Sequence, residues 1–119
     1  MTTLILGASD NPMRFSNRAQ RKLIQYQQTH VLVNPKGGEI DGLKVFTRLS
    51  DVDQPIDTVT VYINPSYIIE EIDNLIKLAP KRVIFNPGSE SSEAAKALSQ
   101  QGIQVIEDCT LLMLDGGRF

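Results

Sequence analysis

An α/β fold, an open and mostly parallel sheet of about five strands with helices on both faces, is what this sequence predicts, on three observations. Short apolar runs rich in β-branched residues alternate with longer segments of helical period. The runs are apolar almost throughout, as strands buried on both faces require. Glycine, proline and asparagine gather where each run ends, so the chain turns there.

The elements follow in order. Thr3–Leu6, Val31–Val33, Thr58–Ile63, Arg82–Phe85 and Ile103–Ile106 read as strands. Phe15, Ala19, Leu23 and Tyr26 fall at helical intervals, in a helix starting near Ser16 or Asn17. So do Ile68, Ile72, Leu75, Ile76 and Ala79, and then Ala94, Ala95 and Leu98. Asn64-Pro65 has the form of an N-cap followed by proline in the first turn, and Gly102 stands where a helix C-cap belongs. Strand–helix alternation implies right-handed βαβ crossovers. Between Val33 and Thr58 no helical period appears; Gly42–Phe46 reads as an extra short strand and Leu49–Val52 as at most one helical turn. Neither a repeat nor a linker interrupts the chain, which reads as one domain over residues 1–119.

Composition narrows the function classes. With 41% apolar and 22% charged residues the chain is an ordinary globular sequence long enough for its own core. Its start, Met-Thr-Thr-Leu-Ile-Leu-Gly, has no signal-peptide pattern, and no apolar run approaches the ~20 residues of a membrane helix. A lone cysteine, Cys109, forms no internal disulfide and suits a reducing cytoplasm. The net charge of −2 conceals an asymmetry: residues 1–50 hold seven Lys/Arg against three Asp/Glu, the rest five against eleven. Arg14, Arg18, Arg21 and Lys22 cluster in the basic half, as a solvated helix face or as a positive field over an anion site. The acidic total opposes a dedicated nucleic-acid binder.

In an open parallel sheet ligands bind beyond the carboxyl ends of the strands, where strand order reverses. That edge would carry Gly7-Ala8-Ser9, Asn34-Pro35-Lys36-Gly37-Gly38, Asn64-Pro65-Ser66, Asn86-Pro87-Gly88-Ser89-Glu90 and Glu107-Asp108-Cys109-Thr110. Gly7 permits a sharp turn, and small Ala8 and Ser9 let a ligand approach backbone N–H groups, with a helix N-terminus aimed at an anion. A plain tight turn accounts for this loop equally well, since Gly-Ala-Ser is neither G-x-G-x-x-G nor a Walker A sequence. The second strand's exit discriminates better. Where a dinucleotide fold commonly places an acid for the ribose 2′-OH, this chain has Asn34, Pro35 and Lys36. A lysine suits a phosphate, which favours NADP or coenzyme A over NAD. Asn-Pro recurs at 34–35, 64–65 and 86–87, either lining a rigid cleft or simply ending strands.

Reaction chemistry is not visible. His30, the only histidine, precedes the second strand and so falls at the opposite end of the sheet. Cys109 lies on the ligand edge with nothing to depress its pKa, and Glu90 and Glu93 read as favourable charges at a helix N-terminus. No metal cluster or nucleophile–base pair can be assembled, so no catalytic or metal-ligating residue is assigned.

Taken together, Gly7-Ala8-Ser9, Val33-Asn34-Pro35-Lys36-Gly37-Gly38 with Gly42–Phe46, Asn64-Pro65-Ser66, Pro87-Gly88-Ser89-Glu90 with Glu93-Ala94-Ala95, and Gly102–Cys109 carry a likeness over nearly the whole chain. The sequence resembles the small CoA-binding domain family and the amino-terminal CoA-binding domain of succinyl-CoA synthetase α subunits. The resemblance implies a Rossmann-like fold that grips coenzyme A or an acyl-CoA at the strand ends. Gly7, Ala8, Ser9 and Ser16 would meet the phosphates; Val33 and Pro35 would flank the adenine beside Asn34, with Lys36 near a phosphate. Ile63, Asn64, Pro65, Phe85, Asn86, Pro87 and Gly88 would line the remainder. The fourth-strand loop reads Phe85-Asn86-Pro87 where relatives often carry tryptophan and glutamine. The implied role is CoA binding without catalysis, as a sensor or an auxiliary subunit that works with a protein partner or as a homo-oligomer. An NAD(P)-binding oxidoreductase component and a protein-interaction domain without ligand stay open beside it.

Overall fold

A computed structural model describes residues 1–119. In chain order the elements are β1 (Thr2–Leu6), α1 (Phe15–Gln25), β2 (Thr29–Val33), β3 (Glu39–Ile40), β4 (Leu43–Phe46), β5 (Thr58–Val61), α2 (Pro65–Leu78), β6 (Arg82–Phe85), α3 (Ser92–Gln100), β7 (Gln104–Glu107) and α4 (Thr110–Asp115). A single 3-10 turn, Leu49–Asp51, precedes β5. The sheet runs β3-β4-β2-β1-β5-β6-β7 and is parallel at every pairing except β3 with β4. It is Rossmann-like, as the sequence implied, but has seven strands rather than about five.

The two additional strands form a hairpin. β3 is two residues long and β4 four, joined by Asp41 (φ 49°) and Gly42 (φ 78°), both left-handed as a tight hairpin turn requires. β3 is only Glu-Ile, whereas β4, Leu-Lys-Val-Phe, is the extra short strand read over Gly42–Phe46; Leu43 and Lys44 are exposed and Val45 is buried. β4 lies parallel to β2, pairing Leu32 with Val45 and Val33 with Phe46. The hairpin therefore takes the place of the missing crossover helix.

Strand alternation builds two cores. Leu4, Leu6, Val31, Val33, Val59, Val61, Val83 and Phe85 face α2, α3 and the 3-10 turn, meeting Ile68, Leu75, Leu98 and Leu49. Ile5, Leu32 and Val45 face the other way, toward Leu23 of α1 and Leu114 of α4. Each fully buried Leu or Ile contributes about 1.5–3 kcal/mol, so both faces hold the sheet in place.

The helix ends differ in a way that matters below. Asn64 caps α2, its Oδ1 accepting from Ser66 N at 2.9 Å, with Pro65 at the first turn. Ser91 caps α3 by accepting from Ala94 N at 3.2 Å. At α1 the N-cap position is Arg14, which supplies no side-chain acceptor. No helix is long and apolar enough to cross a membrane.

α4 is held at its two ends by ion pairs. Asp115 meets Lys22 Nζ and Tyr26 Oη of α1's end, each at 2.9 Å, and Asp108 meets Arg118 at 2.6 Å. The hydrogen bonds from Lys22 and Tyr26 hold the Asp115 carboxyl below its usual value; the bond from Arg118, aided by Cys109 N, does the same at Asp108. Both carboxyls have folded-state pKa values below their unfolded one, so their stabilisation is full above pH 3.8 and is lost as pH falls through the depressed values. Acid titration followed by amide exchange is expected to loosen α4 before the sheet. Asp115→Asn should remove part of that pH dependence; equal loosening of α4 and β1 would contradict it.

Candidate functional site

Strand order reverses between β1 and β5: from β1 the chain proceeds outward to β2 and β4, and β5 returns to β1's other side. At that point the two strand exits diverge and open a cleft of about 710 Å³ along the carboxyl edge. Gly7 makes the approach possible. Its φ is +98°, and a Cβ there would lie 2.9 Å from Ile63 Cγ2 and 3.2 Å from the Tyr62 carbonyl carbon. The first and third crossovers are thus brought into contact by the absence of a side chain.

Of the amide donors the sequence suggested, those of the Gly7-Ala8 turn are taken and those at the helix start are free. Gly7 N and Ala8 N both donate to the Val33 carbonyl at 3.0 Å, so these two groups are committed to bracing β1's exit against β2. Asn34 reinforces the same junction: its Nδ2 donates to the Ala8 carbonyl, and its Oδ1 accepts from Lys36 N at 2.8 Å. Free donors lie at the start of α1, the helix N-terminus expected to face an anion, where the first N–H groups have no intrahelical acceptor and Arg14 offers none. Ser16, buried in that first turn, stands on the cleft with them. The Ser9 loop is held over this end by Asn17 Nδ2, which donates to the Ser9 carbonyl at 2.9 Å.

Of the fifteen residues singled out from the sequence, all line the cleft except Pro65, Phe85 and Asn86. Pro65 is occupied as the first residue of α2. Phe85 is 1% exposed inside the core and has no surface to present. Asn86 is 2% exposed: its Nδ2 donates to Thr60 Oγ1 (2.7 Å) and the Val61 carbonyl (2.9 Å), and its Oδ1 accepts from Thr110 N (2.9 Å). It ties the β6 exit to β5 and α4 rather than meeting a ligand.

Sequence reasoning missed Phe15, Thr47, Arg48, Tyr62 and Tyr67, all on the cleft; of the basic cluster it named, only Arg14 lines the cleft. Thr47-Arg48 was findable: taking β4 as a parallel strand puts its exit loop on the same edge. With Arg14 and Lys36, Arg48 makes three cations on the cleft, none in an ion pair; the three salt bridges in the protein use Lys22, Lys81 and Arg118. A net-negative protein thus carries a locally positive cleft. Val33, Pro35 and Leu49 add apolar groups to the same lining as Lys36 and Arg48. Glu70 and Glu71 of α2 line another part of the wall.

A sequence profile of the CoA binding domain family matches residues 1–115. The chain belongs to the CoA-binding domain family. Among its similar proteins is the uncharacterised protein YneT of Bacillus subtilis, 26% identical over 104 residues that make up 87% of this chain and 77% of YneT. A crystal structure of an uncharacterised protein is 40% identical, with a TM-score of 0.94 over 99% of this chain and 97% of that one. The Thermus thermophilus protein known as cell-free ID.343 is 29% identical, with a TM-score of 0.91 over 99% and 90%. In this CoA-binding domain the family match covers every strand and the whole of the cleft.

His30 sits at the amino end of β2, its Nδ1 3.1 Å from the Gln28 carbonyl, away from the cleft. Cys109 lies off the main cleft, in a smaller hollow of about 100 Å³ shared with Phe15, Tyr62, Asn86, Pro87 and Leu111.

Proposed function

We propose that the chain binds coenzyme A or an acyl-CoA across the carboxyl edge of its sheet, without a reaction of its own, as a sensor or auxiliary subunit. One observation carries the reading: the uncapped start of α1 and three unpaired cations share a single cleft at the point of strand reversal. Coenzyme A supplies what such a cleft lacks. Its pyrophosphate suits the free N–H groups of α1 with Ser16 and Arg14 beside them. Its ribose 3′-phosphate suits Lys36 and Arg48, and its adenine suits the apolar surface of Val33, Pro35 and Leu49. An acid that would grip an unphosphorylated ribose is missing from β2's exit, which disfavours NAD.

Native mass spectrometry of freshly purified protein, followed by thermal-shift comparison of CoA, dephospho-CoA, NAD and NADP, tests this. CoA is expected to give the largest shift; a larger one from NADP favours the oxidoreductase class, and none from any nucleotide favours a protein-interaction domain. Lys36→Ala is expected to weaken CoA about tenfold, the loss of one charge-assisted contact, and to leave dephospho-CoA nearly unaffected. Equal losses for both ligands would remove Lys36 from the 3′-phosphate.

A further inference from the structure

One polar side chain of α1 has no evident use inside the protein. Gln20 is 1% exposed, and neither its Nε2 nor its Oε1 makes a hydrogen bond. An amide in this state costs stability, since a buried donor or acceptor without a partner forfeits the bonds it made to water. Methionine or leucine would occupy the same stretch of helix without that cost. Packing alone therefore does not account for a glutamine here.

Its place on the helix gives the amide a use. The buried face of α1 carries Ser16, Gln20 and Leu23 in succession. Ser16 stands on the cleft, Leu23 packs with Ile5, Ala8 and Leu32 in the core, and Gln20 lies between them. Residues four apart on a helix have Cβ atoms about 5–6 Å from one another, and a long side chain leans toward the N-terminus. The Gln20 amide thus approaches Ser16 from the side away from the cleft, and a change of rotamer brings Nε2 within reach of the hydroxyl. Asn17, another buried polar residue of this turn, already spends its amide on the Ser9 carbonyl at 2.9 Å. A serine hydroxyl has one proton to give and lone pairs that accept. When Ser16 gives its proton to an oxyanion in the cleft, its oxygen is left to accept from Gln20, and a chain of this kind strengthens both bonds.

We propose that Gln20 is a positioning residue for the anion site: its Nε2 donates to Ser16 Oγ and so turns the serine O–H outward, to an oxygen of the ligand's pyrophosphate. The proposal rests on the CoA reading of the cleft, and it gives a role to an amide that the fold leaves without a partner. Gln20 touches no ligand atom and acts only through Ser16.

Titration calorimetry of a double-mutant cycle tests it, with CoA and dephospho-CoA as ligands. Gln20→Met is expected to weaken both about fivefold, the worth of one net hydrogen bond, since both ligands carry the pyrophosphate. That sets it apart from Lys36→Ala, which is expected to spare dephospho-CoA. In a Ser16→Ala background the same substitution should have no further effect on affinity. Without ligand, the Gln20→Met protein should melt no lower than the wild type, because the substitution removes a buried group that has no partner, and Gln20→Leu should behave alike. Undiminished affinity in both variants, or an equal loss with and without Ser16, overturns the role of Gln20 and leaves CoA binding standing. A melting temperature lowered in both variants would show that the amide already has a partner in the fold, and overturns it too. Failure of the wild-type protein to bind either ligand overturns the cleft assignment as well.

Discussion

Gly7→Ala is expected to lower the melting temperature by about 10 °C and to weaken any ligand held across β1 and β5. Two costs combine. The residue stands at φ +98°, where a side chain is strained, and its Cβ would meet Ile63 Cγ2 at 2.9 Å and the Tyr62 backbone at 3.2 Å. Left-handed strain and overpacking together amount to about 3 kcal/mol, which for a domain of this size corresponds to the stated shift. Ile63 is a flexible end, but the Tyr62 carbonyl belongs to the chain leaving β5, so relief requires the two strand exits to part. Gly102→Ala provides the comparison: φ is +78° there, with nothing within 4 Å of the added Cβ. Differential scanning calorimetry should show the Gly102 variant losing about 1 kcal/mol, the strain alone. Equal losses at the two sites would show that the close approach of β1 and β5 is not what Gly7 provides.

Asn86→Ala is the second large effect expected, about 3 kcal/mol, because one side chain serves three buried partners. Val61 O keeps Ser89 Oγ (3.1 Å), and the Thr60 and Thr110 hydroxyls keep each other, but Thr110 N at the start of α4 loses its acceptor. An orphaned buried N–H and the cavity beside it account for the magnitude. Urea unfolding measures it. Asn86→Asp separates the donor from the acceptor role. It still accepts from Thr110 N but turns a carboxylate oxygen toward the Val61 carbonyl, so its folded-state pKa rises above the unfolded value. Folding then takes up a proton, and this variant should gain stability as pH falls from neutrality, opposite to the acid trend of Asp108 and Asp115. A variant whose stability is flat with pH would show that the carboxylate finds other donors.

Much of this architecture was legible because it depends on local pattern. Strands β1, β2, β5, β6 and β7 were readable as short runs of apolar and β-branched residues, the composition of strands packed against helices. Helices α1, α2 and α3 announced themselves by period and, at Asn64-Pro65, by a cap whose hydrogen bond to Ser66 N the structure contains. What escaped was short or exposed. β3 buries little, so composition does not distinguish it from a loop, and α4, at six residues, is too brief for a period; β4 was read as an extra short strand, but not its hairpin with β3.

The candidate site divides along the same line. Lys36, Gly7 and Asn34 were found because strand exits are punctuated by turn residues, and the edge rule turns punctuation into location. Asn86 was placed at the cleft by the same rule and Phe85 by the family resemblance, and the structure turns both inward: Phe85 lies on the face that packs against α2 and α3, and Asn86 has three polar partners within reach.

Sequence alone therefore determined that this chain is an α/β sheet with a carboxyl edge rich in phosphate-compatible loops, because hydrophobic period and turn chemistry are local properties. Tertiary structure alone decided which donors on that edge are free. Gly7 N and Ala8 N are consumed by Val33 of a neighbouring strand, the start of α1 is left uncapped, and Arg48 reaches the cleft only because a hairpin strand lies parallel to β2. Each depends on a pairing between residues far apart in the chain, which local pattern does not encode.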